Sequence, residues 1–532
     1  MKLRMWMYDL AREQTPSYEY LRKLCQLSLD SGYNALGLYL EHRFAYPSAL
    51  WVAGKDALTP EVVKQLQQDF PTLQLVPFIN LLGHFEGFMY SEEGANFACE
   101  RFTGLQADPT HPQFLVLCNR LIDDVVNIFS SNLIHIGGDE TQQLGKGNSA
   151  LWVKQFEEEG CSDGKAKLYG QHFGPLAKRV SELGRTPAVW GDMFFEHPEA
   201  LDYLPKSTVI FDWQYFKSPE HTSKMFLEKG YRTVFAPAIQ TYNAVWCHLP
   251  QSERNVAEHA EAAERLQTEG VCVTTWEMGL MGNFNTILPA IEASGKILCD
   301  ATIGQDQAKP LESGTRDEDV AIYRDTQSAP RFLAAYLSHS EASEEWARIM
   351  GIELNHLLGF SGIRSSIKCR MLLYSNPFLL YLRDRDLILS ETGIKAAELC
   401  EQSMVFTTSP DQRGVTQFAK KSLEFVRLVE KSHKFYAQRK PGEAITALSP
   451  CRQIFEDLER VANATYLNSG GSLADVHRCQ AAKKHVEEVI HRIKIYGDGS
   501  LGYLPSFESI THPKFTPHDQ ANWWLINKWA NE

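Results

Sequence analysis

Long apolar runs are missing from this 532-residue sequence. The most apolar stretch, Met371–Leu382, ends at Arg383 and Asp384 and falls short of the roughly 18 residues that a membrane span needs. The N-terminal segment MKLRMWMYDLAR has a short apolar run that charged residues interrupt, and no small-residue cleavage site follows it. We therefore expect a protein without a membrane span or signal peptide, located in the cytoplasm.

Regularly spaced cysteine pairs are also absent. The sequence has 11 Cys, an odd number, scattered along the chain without a CxxC motif. A disulfide framework uses an even number of cysteines in an oxidising compartment. We expect reduced thiols that are buried as small hydrophobic side chains.

An excess of basic residues is missing as well. Lys and Arg number 53 against 66 Asp and Glu, so the formal net charge is −13. Binding to nucleic acid or to an anionic membrane needs clustered positive charge. Neither partner is expected, whereas 44% hydrophobic residues fit an ordinary globular enzyme.

Eight short apolar runs alternate with amphipathic stretches in the first part of the chain. They are Leu3–Tyr8, Ala35–Leu40, Gln74–Asn80, Leu133–Ile136, Thr186–Trp190, Thr208–Trp213, Thr233–Ala236 and Val271–Trp276. Continuous apolar strands separated by helices are typical of a parallel sheet covered on both faces. Eight such units favour an α/β fold of the (β/α)8 TIM-barrel type over a doubly wound sheet, because no GxGxxG or GxxxxGK[ST] loop follows any run.

Local signals mark several ends of the intervening helices. Ser17 is placed to cap the first helix. Four helical stretches stop at a glycine shortly before a strand: Gly32, Gly184, Gly230 and Gly270. Glycine adopts a left-handed conformation without steric cost, so we predict a helix-to-strand turn at each.

Composition changes after the eighth strand. Residues 303–318, IGQDQAKPLESGTRDE, are polar and rich in Gly, Pro and charge, which indicates a linker. The rest of the chain has helical periodicity without strand alternation. The predicted organisation is a catalytic barrel over residues 1–302, a linker over 303–318 and a mostly α-helical C-terminal domain over 319–532.

Carboxylates and tryptophans follow many of the predicted strands, where the active site of a TIM barrel lies. The candidate site residues are Arg12, Glu41, His84, Asp139, Glu140, Trp190, Asp192, Trp213, Tyr242, Trp246, Trp276 and Glu277. Tryptophan stacks on the apolar face of a sugar ring, and charged side chains bind its hydroxyls. This combination predicts a carbohydrate site.

The adjacent acids Asp139 and Glu140 are the most specific functional signal in the sequence. Both can face one ligand only if the strand end curls, and the preceding Gly137 and Gly138 permit that. Like charges held close raise the pKa of one carboxyl, which suits a general acid at neutral pH. The pair taken alone fits equally a solvated loop beside a helix N-terminus.

Neighbouring residues are poorly placed to flank a glycosidic bond as separate acid and nucleophile. If Glu140 is the acid, a 2-acetamido group of the substrate could attack its own anomeric carbon. Asp139 would then hold the acetamido N–H and stabilise the oxazolinium charge. This mechanism needs no metal and no cofactor.

The segment HIGGDE, residues 135–140, resembles the signature of family-20 glycoside hydrolases, the β-N-acetylhexosaminidases. The resemblance extends through MYDLAR and LLGH and implies that Asp139 orients the acetamido group and that Glu140 is the acid/base. It also implies sugar-binding roles for several residues: Arg12, Glu41, His84, Trp190, Trp213, Tyr242 and Trp276. Asp192, Trp246 and Glu277 are further candidates for substrate contact.

Two departures from the family pattern concern the sugar contacts. Ala244 stands two residues after Tyr242, where the family usually has an acid, and Glu277 follows Trp276 directly rather than two residues on. The preference between GlcNAc and GalNAc therefore stays open. Because the first predicted strand begins at Leu3, we expect no N-terminal α/β domain of the kind that many relatives carry, and the long helical region resembles that of shorter bacterial members.

Three functional hypotheses follow. The first is an exo-acting, retaining β-N-acetylhexosaminidase whose partner is a substrate with a terminal N-acetylhexosamine. The second is a metal-dependent barrel hydrolase, which the missing HxH after strand one disfavours. The third is a carbohydrate-binding barrel without catalysis, which the intact Asp-Glu pair disfavours. The sequence leaves the choice between a monomer and a homo-oligomer open.

Overall fold

The computed structural model describes residues 1–11, 14–89, 91–100, 106–241, 244–276, 283–301, 328–358, 391–469 and 474–497. As far as they are described, two compact units are formed, one by residues 1–239, 252–275 and 291–323 and one by 240–251, 276–290 and 324–532. The predicted linker 303–318 and the predicted domain boundaries lie outside the described residues and stay predictions.

Eight parallel strands close into a barrel in chain order. They are β1 Leu3–Asp9, β2 Ala35–Tyr39, β3 Gln74–Phe78, β4 Leu133–His135, β5 Thr186–Trp190, β6 Val209–Trp213, β7 Arg232–Ala236 and β8 Gly270–Thr275. Met5 of β1 lies opposite Ala35 of β2 on one side and Cys272 of β8 on the other, which closes the ring. The predicted TIM barrel is confirmed.

The strands are mostly apolar because both of their faces are covered. All five residues of β2 and all six of β8 are buried. Four fully buried rings contact one another: Phe78, His135 and Trp190 at the carboxyl ends of β3, β4 and β5, and Phe211 in the middle of β6. The ring of His135 lies 4.4 Å from Phe78, stacked, and 4.5 Å from Trp190. This aromatic layer lies just before the loops that carry the predicted site.

The helices among residues 1–301 follow the strands. They are α1 Tyr18–Asp30, α2 Pro60–Asp69, α3 Glu86–Met89, α4 Phe114–Ile128, α5 Ser149–Glu158, α6 Gly164–Glu182, α7 Met193–Glu196, α8 Glu220–Glu228, α9 Leu249–Arg265 and α10 Leu288–Asp300. Short 3-10 turns occupy Glu41–Arg43, Leu50–Val52, Gly94–Phe97, Pro198–Tyr203 and Phe284–Thr286. The hydroxyl of Ser17 accepts a hydrogen bond from the Tyr20 amide at 3.2 Å, which confirms the predicted cap of α1.

The predicted turns between helix and strand are present, with one difference. φ is 87° at Gly32, 75° at Gly184 and 77° at Gly230, all left-handed. Gly270 differs, since it is the first residue of β8 and has a φ of 153°. The backbone of Leu3 on β1 lies too close to this position for any Cβ, so glycine is required there.

The described part of the C-terminal region is helical, as predicted. Its helices are α11 Pro330–Leu337, α12 Glu341–Arg348, α13 Leu354–Leu358, α14 Glu391–Met404, α15 Pro410–Ala437, α16 Pro441–Leu448, α17 Cys451–Ser469 and α18 Ala474–Tyr496, with a π-helical turn at Ile349–Glu353. The rings of Phe425 on α15 and Phe455 on α17 lie 5.0 Å apart. Among the described residues, no helix combines the length and apolarity needed to cross a membrane.

Candidate active site

The segment after β4 turns sharply, and three of its residues have positive φ. The angle is 81° at Gly137, 107° at Gly138 and 44° at Glu140. A Cβ at Gly138 would lie 2.4 Å from the hydroxyl oxygen of Tyr169, so this position requires glycine. The two glycines allow the strand end to curl, as the sequence predicts.

Two side chains from other elements hold this segment. The hydroxyl of Tyr169 on α6 donates to the carbonyl oxygen of Gly138 at 2.8 Å. The amide of Glu140 donates to Oδ2 of Asp192, just after β5, at 2.8 Å. The backbone beside both predicted catalytic acids is therefore fixed from α6 and from the end of β5.

His84 faces both acids of the pair. Its Nε2 lies 3.0 Å from Oε2 of Glu140 and 3.6 Å from Oδ2 of Asp139, and its Nδ1 lies 3.4 Å from Oε1 of Glu86. Burial works to lower the pKa of His84, but the charges of Asp139 and Glu86 and the hydrogen bonds to Glu140 and Glu86 raise it well above 6.5. The carboxylates around the ring therefore favour its cationic form.

The two neighbouring acids occupy different environments. The side chain of Asp139 is 9% exposed and that of Glu140 is 39% exposed. Asp139 lies at the base of the cluster, and Glu140 reaches solvent. A molecule arriving from solvent would meet the Glu140 carboxyl first.

Asp192 lies between the ends of β4 and β6. Its Oδ1 accepts a hydrogen bond from Nε1 of Trp213 at 3.2 Å, while its Oδ2 binds the Glu140 amide. Burial, and then the charges of Asp139 and Glu140, raise the pKa of Asp192. The raised pKa that the sequence predicts within the pair itself stays a prediction.

Asn80 links Glu41 to the backbone of His84. The side chain of Asn80 donates to Oε1 of Glu41 at 3.5 Å and to the carbonyl oxygen of His84 at 3.3 Å, and it also contacts the hydroxyl of Tyr39. Glu41 is 1% exposed. Glu41, His84 and Glu140 all have positive φ, at 39°, 48° and 44°. Such strained non-glycine residues cluster at functional sites.

The two tryptophans of the first unit that are candidate site residues are placed differently from one another. Trp213 is half-buried and stacks on Tyr215, with ring centroids 5.1 Å apart. Trp190 is fully buried within the aromatic layer of the barrel. Trp213 thus presents part of its ring to solvent, and the predicted sugar contacts of both tryptophans stay predictions.

Trp246 and Trp276 belong to the second unit. Trp246 is 2% exposed, its ring lies 4.4 Å from that of Trp346, and its Nε1 donates to the hydroxyl of Thr286 at 2.9 Å. Within its own unit Trp246 is therefore a packing residue. Arg12, Tyr242 and Glu277 lie outside the described residues. Substrate contact remains a prediction for all five.

Reasoning from sequence missed three residues of the cluster: Asn80, Glu86 and Tyr169. Glu86 is fully buried and follows His84 by two residues, so the segment HFE offered a signal for it. Asn80 ends the third predicted strand and could have been found there. Tyr169 lies inside a helix, where no local pattern distinguishes it from a core residue. Within the described ranges, no group of three or more His, Cys, Asp or Glu is arranged to hold a metal ion.

One family model matches the part of the barrel that carries most of this cluster. Residues 84–278 match the model described as "Glycosyl hydrolase family 20, catalytic domain". The match confirms the resemblance to family-20 glycoside hydrolases that HIGGDE predicts for this part of the chain.

Individual relatives share little sequence identity with this chain. A β-hexosaminidase of Vibrio furnissii is 28% identical over 122 residues, which cover 23% of this chain and 18% of that protein. A β-N-acetylhexosaminidase structure from Bacteroides fragilis has 16% identity and a TM-score of 0.46, covering 56% of this chain and 66% of that one. A chitobiase structure from Flavobacterium johnsoniae has 14% identity and a TM-score of 0.46, covering 98% and 78%. The chain thus spans less than a fifth of the curated relative's length.

Proposed function

We propose that the protein is an exo-acting, retaining β-N-acetylhexosaminidase that removes terminal, non-reducing β-linked GlcNAc or GalNAc. The observation that carries the proposal is the contact of His84 with both Asp139 and Glu140, at 3.6 Å and 3.0 Å, at the carboxyl end of β4. The family-20 match over residues 84–278 supports the reaction class.

Glu140 is the general acid and base in this proposal. Its partly exposed carboxyl gives a proton to the glycosidic oxygen as the bond to the anomeric carbon breaks. The His84 ring, hydrogen-bonded to Oε2 of Glu140, orients the carboxyl. In the second step Glu140 takes a proton from the water that attacks the anomeric carbon.

Asp139 serves the nucleophile, which belongs to the substrate. The acetamido oxygen attacks the anomeric carbon and forms an oxazolinium ring on the face opposite the leaving group. The carboxylate of Asp139 accepts the acetamido N–H and stabilises the positive charge of the ring. Two inversions at one carbon give net retention. The adjacency of the two acids supports this division, because neighbours are poorly placed to act on opposite sides of one bond.

Several of the remaining site residues bind the sugar in this proposal. The exposed part of Trp213 offers a stacking surface, and Glu41 and Arg12 bind hydroxyls. Sugar contact by Tyr242, Trp276 and Glu277 stays a prediction from the sequence, whereas Trp190 and Trp246, both almost fully buried, are expected to support their own units by packing. The substrate is a saccharide or glycoconjugate, and the reaction uses no metal and no cofactor.

A panel of three chromogenic substrates tests the proposal. We expect release of p-nitrophenol from the β-GlcNAc or the β-GalNAc derivative, unaffected by a chelator, and almost none from the β-glucoside, which lacks the acetamido group. Equal rates on the glucoside would overturn substrate assistance. If calorimetry detected binding of N-acetylglucosamine and none of the substrates were hydrolysed, the proposed hydrolase activity would be overturned and a carbohydrate-binding barrel favoured.

A further inference from the structure

The carboxylate of Asp192 connects three consecutive strand ends. Asp192 follows β5, its Oδ2 binds the Glu140 amide after β4 at 2.8 Å, and its Oδ1 binds Nε1 of Trp213 at the end of β6 at 3.2 Å. Each oxygen therefore has its own N–H donor. One side chain fixes the backbone of the predicted acid and the ring of a predicted sugar-stacking residue.

The Glu140 amide needs such an acceptor. With a φ of 44°, Glu140 has a left-handed backbone that a non-glycine residue adopts only when its surroundings impose it. The turn is closed on its other side by the Gln142 amide, which donates to the Glu140 carbonyl oxygen at 2.7 Å. The hydrogen bond to Asp192 holds the remaining polar group of the Glu140 backbone.

The negative charges of Asp139 and Glu140 disfavour the ionised form of Asp192. Burial and the nearby charges of Asp139 and Glu140 raise the pKa of Asp192, and the hydrogen bonds from the Glu140 amide and from Trp213 act in the opposite direction and favour the carboxylate. An amide cannot replace it without a mismatch. Asn has one acceptor oxygen, and its NH2 group would face one of the two N–H donors.

We propose that Asp192 is a positioning residue that aligns Glu140 for proton transfer, in place of the sugar contact that the sequence predicts for it. This inference rests on the proposed function of Glu140 as general acid. Asp192 acts through the Glu140 backbone and through Trp213. Its effect is therefore confined to steps in which Glu140 transfers a proton and to the stacking surface of Trp213.

The leaving group separates this role from sugar binding. A natural disaccharide needs protonation of its leaving oxygen, whereas a 2,4-dinitrophenyl β-N-acetylglucosaminide leaves without it. We expect Asp192→Asn to lower kcat on chitobiose by about 10- to 100-fold, since small misplacements of a catalytic group have effects of this size. On the dinitrophenyl substrate we expect kcat/KM, which reports only the steps up to departure of the leaving group, to change by less than about threefold. A lost sugar contact would instead lower kcat/KM equally on both substrates, mainly through KM, and that result would overturn the proposal.

Asp212→Asn is the matched control. Asp212 is a fully buried carboxyl on β6 whose hydrogen bonds come from Gln214 and Thr222, at 3.0 Å and 2.6 Å. The substitution makes the same chemical change without touching the Glu140 amide. We expect the same modest loss of thermal stability in both variants and the leaving-group effect only in Asp192→Asn. The same effect in Asp212→Asn would overturn the assignment.

A spectroscopic measurement is independent of catalysis. The Trp213 indole N–H resonance, identified by its absence from Trp213→Phe, is expected to shift in Asp192→Asn and to follow the titration of Asp192 in the wild-type protein. If the resonance shifted neither in Asp192→Asn nor during the titration of Asp192, the proposed contact would be overturned, even if the wild-type protein hydrolysed no substrate. Wild-type inactivity with a responsive resonance would overturn the proposed function and leave the Asp192 contacts supported.

Discussion

Glu140 and Asp139 are neighbours in the chain, yet the structure exposes 39% of one side chain and 9% of the other. This difference supports the proposal that Glu140 exchanges the proton with the leaving group and that Asp139 stabilises charge. We expect Glu140→Gln to lower kcat on a natural disaccharide by about 10²- to 10⁴-fold and Asp139→Asn by nearly as much. The control is Glu157→Gln on α5, an exposed acid changed in the same way. Near wild-type turnover of a disaccharide by Glu140→Gln would remove the acid assignment.

His84 gives a second prediction at the residue scale, concerning stability. Its pKa in the folded protein lies well above 6.5, so the folded chain binds this proton more tightly than the unfolded chain. The stabilisation is fully present below pH 6.5 and is lost as the pH rises through the folded pKa. We expect the melting temperature of wild type to exceed that of His84→Asn by more at pH 6 than at pH 10. Asn is chosen because it tolerates positive φ.

His172 provides the contrast for that measurement. Burial lowers its pKa to about 4, so its neutral form is favoured in the folded protein. The wild-type protein should gain stability relative to His172→Asn as the pH rises from about 4 to 6.5. A pH-independent difference for His84→Asn would show that its ring is not cationic in the fold.

At the scale of elements, the turn after β4 is the feature on which the site depends. We expect Gly138→Ala to lower kcat by about 100-fold, since a Cβ would meet the Tyr169 hydroxyl and displace both acids. Gly160→Ala is the matched control, because Gly160 also has a positive φ, 94°, but nothing lies within 4 Å of its Cβ position. Both variants should lose about 1–3 kcal/mol of stability through backbone strain. Equal activity of the two variants would contradict the structural account of the turn.

The same scale shows what a sequence can predict. The eight strands were predictable because a parallel strand with both faces covered is a continuous apolar run, and all eight runs form strands. The curl before Asp139 was predictable from Gly137 and Gly138. The partner of the Glu140 amide was not, because it comes from a side chain 52 positions away that reads equally well as a sugar ligand. Likewise, nothing local distinguishes Trp190, which is fully buried in the barrel, from the half-buried Trp213.

At the scale of the whole molecule, the barrel brings distant residues to one end. His84, Asp139 and Asp192 follow β3, β4 and β5, and the parallel arrangement places the carboxyl ends of these strands side by side. The buried aromatic layer of Phe78, His135, Trp190 and Phe211 packs beside those strand ends. The central claim is that this arrangement serves a substrate whose own acetamido oxygen is the nucleophile.

A series of aryl β-N-acetylglucosaminides carrying zero to three fluorine atoms on the acetyl methyl group tests that claim most directly. Each fluorine makes the amide oxygen a poorer nucleophile and leaves the glycosidic bond and the leaving group unchanged. The account predicts that kcat/KM of the wild-type protein falls steeply with each fluorine added. Rates that do not depend on fluorination would mean that a group of the enzyme or a water molecule attacks the anomeric carbon, and would contradict the account.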